Sequence, residues 1–294
     1  MSAAKCTLCP RACGIDRSTK TGFCGVGSAP TVARAALHYF EEPCISGTRG
    51  SGTVFFTGCN LRCVFCQNET ISRGKGGKAV TPERLREIYF SLIEQGAHNI
   101  NLVTPSHFAD AVAASLEGGL PVPVVWNCGG YESVETLRLL EGKVQIYLPD
   151  FKYADAALAA RYSAAPDYPA VAEAAVREMY RQTGDFAFDA DGMLTRGVLI
   201  RHLVLPGNLD NTFGVIDRVR RMFPQDGRVL FSLMSQYTPV VNVPQFPELC
   251  RRLTEDEYAA AEQYLFDSGI EDGFVQDTAS AETEYIPAFD GTGV

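Results

Sequence analysis

The residues best suited to chemistry in this sequence are three closely spaced cysteines, Cys59, Cys63 and Cys66. They follow an apolar run rich in β-branched residues, Thr53–Thr57, which predicts a buried strand. Three thiolates can hold three corners of a 4Fe–4S cube and leave its fourth iron without a protein ligand. A closed structural zinc site uses four protein ligands. The count therefore favours an open iron–sulfur site over the alternatives, a zinc knuckle or a set of buried thiols.

A second cysteine group lies near the start of the chain and consists of Cys6, Cys9, Cys13 and Cys24. Four thiolates at these spacings suit either a zinc ion or a second iron–sulfur cluster, and both metals stay open. Either metal would at the least hold down a loop-rich segment. Ten cysteines in a chain without an export signal are better explained by metal ligation than by disulfides.

Composition is that of an ordinary soluble globular protein. The 294 residues are 46% hydrophobic and 21% charged, and no stretch approaches the length of a membrane span. The start of the sequence has no basic region followed by an apolar run, so we expect a cytoplasmic protein. The net charge of −9 argues against nucleic acid or an anionic membrane as a general partner.

The elements that must position the cysteines alternate between apolar strands and amphipathic helices. Near-continuous apolar strands separated by helices indicate a parallel sheet with crossovers. Polar or glycine-rich residues follow every strand, at the edge where α/β barrels gather their chemistry. The six predicted strands begin at Thr53, Asn99, Val122, Val144, Val198 and Val229.

The predicted fold class is therefore α/β, a partial (β/α)6 TIM-type barrel with a small cysteine-rich N-terminal metal-binding segment. The metal-binding segment is expected over residues 1–31, followed by a connecting loop over 32–52. The barrel is expected over residues 53–270 and a C-terminal extension over 271–294.

The cysteine spacing and the aromatic residue before the last cysteine carry a family resemblance. At Cys59, Cys63, Phe65 and Cys66 the sequence resembles the signature of the radical S-adenosylmethionine (SAM) superfamily. Longer segments, among them Gly96–Pro105, resemble the group labelled pyruvate formate-lyase-activating-enzyme-like. This resemblance covers nearly the whole chain.

The resemblance implies a 4Fe–4S cluster whose open iron chelates the amino and carboxylate groups of SAM. Phe65 would pack on the adenine, while Asn127 and Asp150 would lie near the methionyl carboxylate. Asp150 would also help to hold a monovalent cation, and His202 would face SAM or substrate. Two structural alternatives stay open, a plain Asp150–Lys152 ion pair and a hydrogen-bonded core histidine at position 202. The residues assigned on this basis are Cys59, Cys63, Cys66 and His202 as catalytic, Phe65, Asn68, Thr104, Asn127, Asp150, Lys152 and Arg201 as cofactor-binding, and Cys6, Cys9, Cys13, Cys24, Cys59, Cys63 and Cys66 as metal ligands.

The activity implied by the resemblance is reductive cleavage of SAM to methionine and a 5′-deoxyadenosyl radical, which abstracts a hydrogen atom from substrate. Flavodoxin or ferredoxin is the implied electron donor, in an anaerobic setting. The substrate stays open between a glycine of a partner glycyl radical enzyme and a small molecule or peptide. Residues Val103–Pro105 lack the carboxylate that activating enzymes usually carry at the second strand end. The alternative from another class is a non-catalytic iron–sulfur or zinc protein with a redox or structural role.

Overall fold

The computed structural model describes residues 5–276 and 287–294, and a single large β-sheet organises them. The strands of this part of the chain are β1 (Thr31–His38), β2 (Ser51–Phe56), β3 (Lys78–Ala79), β4 (Ile100–Val103), β5 (Val124–Cys128), β6 (Ile146–Pro149), β7 (Ala187–Phe188), β8 (Leu194–Leu203), β9 (Leu230–Met234) and β10 (Gly273–Val275). The α-helices are α1 (Pro43–Ser46), α2 (Glu69–Ser72), α3 (Pro82–Glu94), α4 (Ala109–Ser115), α5 (Val134–Arg138), α6 (Ala156–Ser163), α7 (Tyr168–Thr183), α8 (Leu209–Met222) and α9 (Glu255–Asp267).

The sheet is mixed, with a large parallel part. Its strand order is β10-β9-β8-β6-β5-β4-β2-β1-β3, and β7 pairs with β8 outside this path. The six strands predicted from the sequence are β2, β4, β5, β6, β8 and β9, and each is parallel to its neighbour in this set. The prediction of a parallel sheet with crossovers is therefore confirmed. Among the described residues the path of paired strands is open at both ends.

Residues 32–52, predicted as a connecting loop, contain regular structure instead. Strand β1 pairs antiparallel with β2, from Val32 opposite Phe56 to His38 opposite Ser51. Its buried positions carry Val32 and two alanines, Ala33 and Ala35, rather than a long apolar run, so the sequence signal was weak. The short helix α1 follows β1 and is buried at Cys44 and Ile45.

The parallel part of the sheet also extends past the predicted boundary at residue 270. Strand β10 pairs with β9 in a parallel register, with Gly273 opposite Phe231. Three residues are too few to show a strand period in a sequence. The predicted C-terminal extension includes residues 277–286, which lie outside the described residues.

The helices that cross between the parallel strands begin at residues that cap them. Thr81 accepts a hydrogen bond from the Arg84 backbone at the start of α3, and Ser133 and Asp155 cap α5 and α6 in the same way. Helix α9 begins with a capping box between Thr254 and Glu257. In the described part of the chain, no helix is long and apolar enough to span a membrane.

An apolar cluster closes the sheet interior at the amino ends of the strands. Val125, Ile146, Leu148, Leu199 and Leu230 form it together with Cys44 and Ile45 of α1. Burying one such aliphatic side chain stabilises the fold by about 1.5–3 kcal/mol. Polar side chains lie at the carboxyl ends of the same strands instead.

Candidate functional site

The loop after β2 carries the three cysteines predicted to hold a cluster. The loop starts at Gly58, whose φ is 92°, and a Cβ there would stand 2.8 Å from the carbonyl oxygen of Cys24. Only glycine fits this conformation and this close approach. Cys59, Cys63 and Cys66 all line one pocket at the carboxyl ends of the strands, which we call the cysteine pocket. The same loop also contributes Leu61, Phe65, Gln67 and Asn68, and the remaining lining residues lie at or just after the ends of β4, β5, β6, β8 and β9.

Hydrogen-bond donors point at all three sulfurs. Cys59 Sγ accepts from the Leu61 backbone N–H at 3.4 Å, and Cys63 Sγ accepts from Ser163 Oγ at 3.0 Å. The Asn68 backbone and the Ser72 side chain lie beside the Cys66 sulfur, and both lower the pKa of its thiol against the effect of burial. Such donors are the outer hydrogen bonds that tune an iron–sulfur cluster.

The electrostatics of the three thiols also suit a cluster. Burial, and to a smaller extent the neighbouring Cys63 and Cys66, raise the pKa of the Cys59 thiol to about 12. Bare thiolates would therefore be costly here, whereas bound iron supplies the positive charge that stabilises them. Across residues 5–276 and 287–294, no three Cys, His, Asp or Glu side chains converge as the ligands of one metal ion would. The donor set fits a multi-iron cluster with an open position.

A largely buried charge network of Asp150, Lys152 and Arg201 forms part of the wall of the cysteine pocket. Asp150 lies between two cations, with Oδ2 2.5 Å from Lys152 Nζ and Oδ1 3.0 Å from Arg201 Nε. Burial alone would raise the pKa of Asp150, but Lys152 and Arg201 hold it below its ordinary value. The ion pair between Asp150 and Lys152 is thus present. Both carboxylate oxygens already face cations, which does not favour the expected monovalent-cation site.

Glu41 completes this network, and the sequence analysis did not find it. Its Oε2 accepts from Arg201 Nη1 at 2.9 Å, and its Oε1 accepts from the side-chain amides of Asn101 and Asn127, each at 3.1 Å. Arg201 Nη2 in turn donates to Asn127 Oδ1 at 2.7 Å. Glu41 reaches the sheet interior from the segment between β1 and α1. One feature of the sequence could have indicated a missing carboxylate. Two cations, Lys152 and Arg201, were predicted to line the site, but only one carboxylate, Asp150, was predicted to pair with them.

The apolar side of the pocket centres on Phe65. Its ring is buried and meets the rings of Tyr162, Tyr237 and Tyr153 at centroid distances of 6.1, 6.3 and 6.5 Å. All three contacts are edge-to-face, which is the favoured aromatic geometry. Phe65 therefore presents a fixed apolar surface to the pocket.

Two buried polar atoms of the pocket lack a hydrogen-bond partner in the part of the chain that the structure describes. Asn68 Oδ1 and Thr238 Oγ1 are buried without a hydrogen bond among the described residues, and both residues line the pocket. Thr104 also lines it, in a left-handed conformation with φ of 58°, and its N–H donates to the Asn127 carbonyl at 2.8 Å. Buried polar atoms without partners are costly unless a ligand or water satisfies them. These atoms mark where a polar ligand would bind.

His202 lies outside the cysteine pocket, which corrects the expectation that it is catalytic. Its Nδ1 is 2.7 Å from the Phe151 carbonyl oxygen, and its Nε2 is 3.0 Å from Thr212 Oγ1. Burial lowers the pKa of His202 to about 4, so its ring is neutral. Adjacent residues of a strand face opposite sides of the sheet, so Arg201 and His202 cannot both face the pocket. His202 is a hydrogen-bonded core histidine.

The four N-terminal cysteines form a second group beside the pocket. Electrostatic interactions link the Cys24 thiol with Cys13 and Cys6, and the Cys9 thiol with Cys24 and Cys6. The Cys59 N–H donates to the Cys24 carbonyl oxygen at 3.2 Å, so the two cysteine groups are in direct backbone contact. None of the four N-terminal cysteines lines the cysteine pocket.

Comparison with known proteins finds similarities in the region of the cysteine loop and in the fold. Residues 46–115 match the family model of the 4Fe-4S single cluster domain. The fold is shared with SuiB of Streptococcus suis. Its structure bound to the precursor peptide SuiA has a TM-score of 0.51 at 11% identity, covering 74% of this chain and 46% of that one. Its structure bound to S-adenosylmethionine has a TM-score of 0.51 at 12% identity, covering 77% of this chain and 50% of that one. The present chain thus spans about half the length of SuiB.

The fold and the site define a class, a mixed α/β protein whose residues 46–115 match a 4Fe–4S cluster domain. The chain is 30% identical over 268 residues to Uncharacterized protein MJ0674 of Methanocaldococcus jannaschii, an alignment that covers 87% of this chain and 72% of that protein. The chain belongs to the same family as that archaeal protein.

Proposed function

We propose that this protein is a radical SAM enzyme whose cysteine pocket binds a 4Fe–4S cluster and SAM. The observation that carries this proposal is the convergence of three donor-supported thiols, an apolar aromatic wall and unpartnered polar atoms on one pocket. The 4Fe–4S domain match over residues 46–115 and the fold shared with SuiB bound to SAM support it.

With a cluster and SAM bound, the site would supply one-electron cleavage of the SAM sulfonium to methionine and a 5′-deoxyadenosyl radical. The Lys152 ammonium group lies near the sulfur atoms of Cys63 and Cys66, and it would offset the negative charge of their thiolate forms. Phe65 offers the surface on which an adenine would pack. Asn68 and Thr238 offer the buried oxygen atoms that would bind polar groups of SAM.

Arg201 acts in this proposal as a positioning residue. Its three guanidinium nitrogens donate to Asp150, Glu41 and Asn127, at 3.0, 2.9 and 2.7 Å. An arginine engaged on all sides fixes the orientation of its partners. Asn127 and Asp150 would thereby be held in place at the pocket, near the methionyl end of SAM.

The pocket also excludes water from reactive species. Phe65 and the tyrosines around it cover one side, and the apolar cluster with Cys44 and Ile45 closes the amino ends of the strands. Exclusion of water prevents side reactions of an intermediate formed inside.

A peptide or small molecule is the proposed substrate, from which a hydrogen atom would be removed. The specific observation in favour of a peptide is the fold shared with SuiB bound to a precursor peptide. A glycine of a glycyl radical enzyme is the second candidate, and it rests on the sequence resemblance alone. Flavodoxin or ferredoxin is the proposed electron donor. A second metal centre is proposed at Cys6, Cys9, Cys13 and Cys24.

The proposal is tested by anaerobic reconstitution with iron and sulfide, followed by reaction with SAM and dithionite. We expect 5′-deoxyadenosine and methionine from the parent protein, and neither product from Cys63→Ala. Cys250→Ser is the matched control, because Cys250 is exposed and belongs to neither cysteine group. Equal product from the parent and from Cys63→Ala would refute the assignment of the cluster.

A further inference from the structure

The segment that carries the N-terminal cysteines has almost no core of its own. Over residues 5–29 it contains no helix or strand, and its buried apolar side chains are Cys9, Cys24 and Val26. Short backbone hydrogen bonds shape it instead, such as Cys6 N–H to the Ile15 carbonyl at 2.9 Å and Ala12 N–H to the Cys9 carbonyl at 2.9 Å. An irregular segment with so little buried apolar surface needs another source of stability, and bound metal supplies it in many small domains.

Two loops of this segment bring their sulfurs together across Gly22. A Cβ on Gly22 would stand 3.3 Å from Cys13 Sγ and 3.3 Å from Cys24 Sγ. The backbone N–H of Arg11 donates to the sulfur of Cys9, as Leu61 does to Cys59 in the other group. The two cysteine groups thus share three features, namely buried sulfurs, backbone donors to sulfur, and a glycine where the chain passes a cysteine at close range.

The segment is bonded to the Cys59–Cys66 loop along its length. Arg62 Nη1 donates to the Phe23 carbonyl at 3.1 Å, and Arg11 Nε donates to the Asn60 carbonyl at 2.8 Å. Beyond the loop, a Cβ on Gly74 would stand 2.5 Å from the Gly25 carbonyl oxygen, so the two backbones touch. Such contacts fix one cysteine group relative to the other.

A short path of bonds connects the sulfurs of Cys24 and Cys59. It runs from the Cys24 side chain to its own carbonyl group and across one 3.2 Å hydrogen bond to the Cys59 N–H. Electron tunnelling falls off steeply with distance and less steeply through bonds than through empty space. This path is therefore suited to electron transfer between centres at the two groups.

The N-terminal group also reaches from the surface to the interior. Cys6 and Cys13 are half-buried, whereas Cys9 and Cys24 are buried. Exposed Lys5 and Lys20 lie in the same segment and add positive charge at its surface. Residues 5–29 carry four basic side chains, Lys5, Arg11, Arg17 and Lys20, against one acidic side chain, Asp16. This excess of positive charge favours the approach of an acidic carrier protein.

We propose that Cys6, Cys9, Cys13 and Cys24 bind a second 4Fe–4S cluster, and that it relays electrons from an acidic one-electron carrier to the site at Cys59, Cys63 and Cys66. In each transfer the carrier loses one electron, the second cluster gains it and then gives it up to the first site. No bond forms or breaks in this relay and no proton moves. Four thiolate ligands leave no open iron, so this centre does not bind SAM. The relay rests on the proposed function, whereas the binding of the second cluster does not.

The first test measures metal in a protein whose cysteine pocket cannot hold a cluster. The triple variant Cys59→Ala/Cys63→Ala/Cys66→Ala, reconstituted anaerobically, should hold about four irons and show an electron paramagnetic resonance signal when reduced. Adding Cys9→Ala and Cys13→Ala should remove that iron. A colourless triple variant with about one zinc would overturn the iron–sulfur assignment, and a triple variant with neither metal would overturn the proposed metal site.

If the triple variant does not fold, Cys9→Ala/Cys13→Ala in the otherwise intact chain should hold about four irons against about eight in the parent. Equal iron in those two proteins would overturn the proposal.

The second test separates a relay from a scaffold. The rate of 5′-deoxyadenosine formation is measured with reduced flavodoxin and with dithionite, a small reductant that can enter the open pocket directly. In Cys9→Ala/Cys13→Ala the ratio of the flavodoxin rate to the dithionite rate should fall several-fold, and in Cys250→Ser it should stay as in the parent. An unchanged ratio, whether or not both rates fall, would overturn the relay. Failure of the proposed function gives a different result, because the parent would then make no 5′-deoxyadenosine with dithionite while the triple variant still held iron.

Discussion

Glu41 gives the sharpest test of how the pocket is held together. Its side chain is only 10% exposed and its partner Arg201 only 13%, so the ion pair at 2.9 Å is well shielded from water. Glu41→Ala would leave Arg201 bonded to Asp150, which Lys152 shares, with the buried Glu42 also acting on it. It would also remove the acceptor of two asparagine amides. Taking one partner from a buried ion pair costs about 3–5 kcal/mol, because the other charge stays buried without compensation.

The expected effect is large enough to measure by thermal unfolding. A loss of about 3–5 kcal/mol corresponds to a fall in Tm of roughly 5–8 °C for a chain of 294 residues, because the entropy of unfolding is about 2.1 cal/mol/K per residue. Glu41→Gln should cost less, since its amide oxygen can still accept from Asn101 and Asn127. Glu87→Ala is the matched control: Glu87 pairs with Arg84 at 2.8 Å, but the two side chains are 66% and 48% exposed. Such an exposed pair contributes at most about 1 kcal/mol.

A double-variant cycle shows whether the effect runs through Arg201. Glu41→Ala and Arg201→Ala together should destabilise the protein by less than the sum of the two single variants, because the second change removes the charge left unpaired by the first. The expected coupling is about 0.5–3 kcal/mol. A Tm of Glu41→Ala within 2 °C or so of that of Glu87→Ala, or strict additivity in the cycle, would refute the reasoning.

Three further predictions follow from the same structure. Phe65→Ala should weaken SAM binding by about 1–3 kcal/mol through lost apolar contact, measured by equilibrium dialysis of the reconstituted protein; unchanged affinity would contradict the placement of adenine. His202→Asn should lower the Tm but leave the affinity for SAM as in the parent, and weaker SAM binding would instead return His202 to the site. Burial raises the pKa of Glu132 from 4.5 to about 7, so the native state keeps a proton that the unfolded chain releases between these pH values. The parent should therefore lose up to about 3 kcal/mol of stability relative to Glu132→Gln as the pH rises through this window, which Tm measurements near pH 5 and pH 8 would detect. Parallel pH profiles of the two proteins would show that Glu132 ionises normally.

Much of the fold could be predicted because buried parallel strands have a strong sequence signal. Runs such as Val122–Trp126 are apolar throughout, and the polar residues after such runs mark the edge where the site forms. Strand β1 was missed for the opposite reason. It lies near the edge of the sheet and carries Arg34 and several alanines, so its pattern is no stronger than that of a loop.

The pocket residues also divide into those that the sequence pattern could place and those that it could not. Those on strand ends or in the cysteine loop, such as Asn127, Asp150 and Arg201, could be placed from the strand pattern, and the structure brings them together. Glu41 could not, because its position depends on a chain reversal between β1 and α1 that no local period encodes. His202 could have been placed by strand parity alone, since Arg201 beside it was already assigned to the pocket.

The balance of charge at the pocket wall has a consequence for how ligands reach it. Asp150 and Glu41 offset Lys152 and Arg201 within a single hydrogen-bonded group, so this group adds little net field at the pocket mouth. Salt screens attraction between separated charges, but it has little to screen where opposite charges already cancel at contact distance. The charges of this wall should therefore make little contribution to any dependence of ligand affinity on ionic strength. By the same reasoning, neutralising Glu41 alone would leave the wall with an excess of positive charge, and the affinity for small anions would then rise as salt is removed.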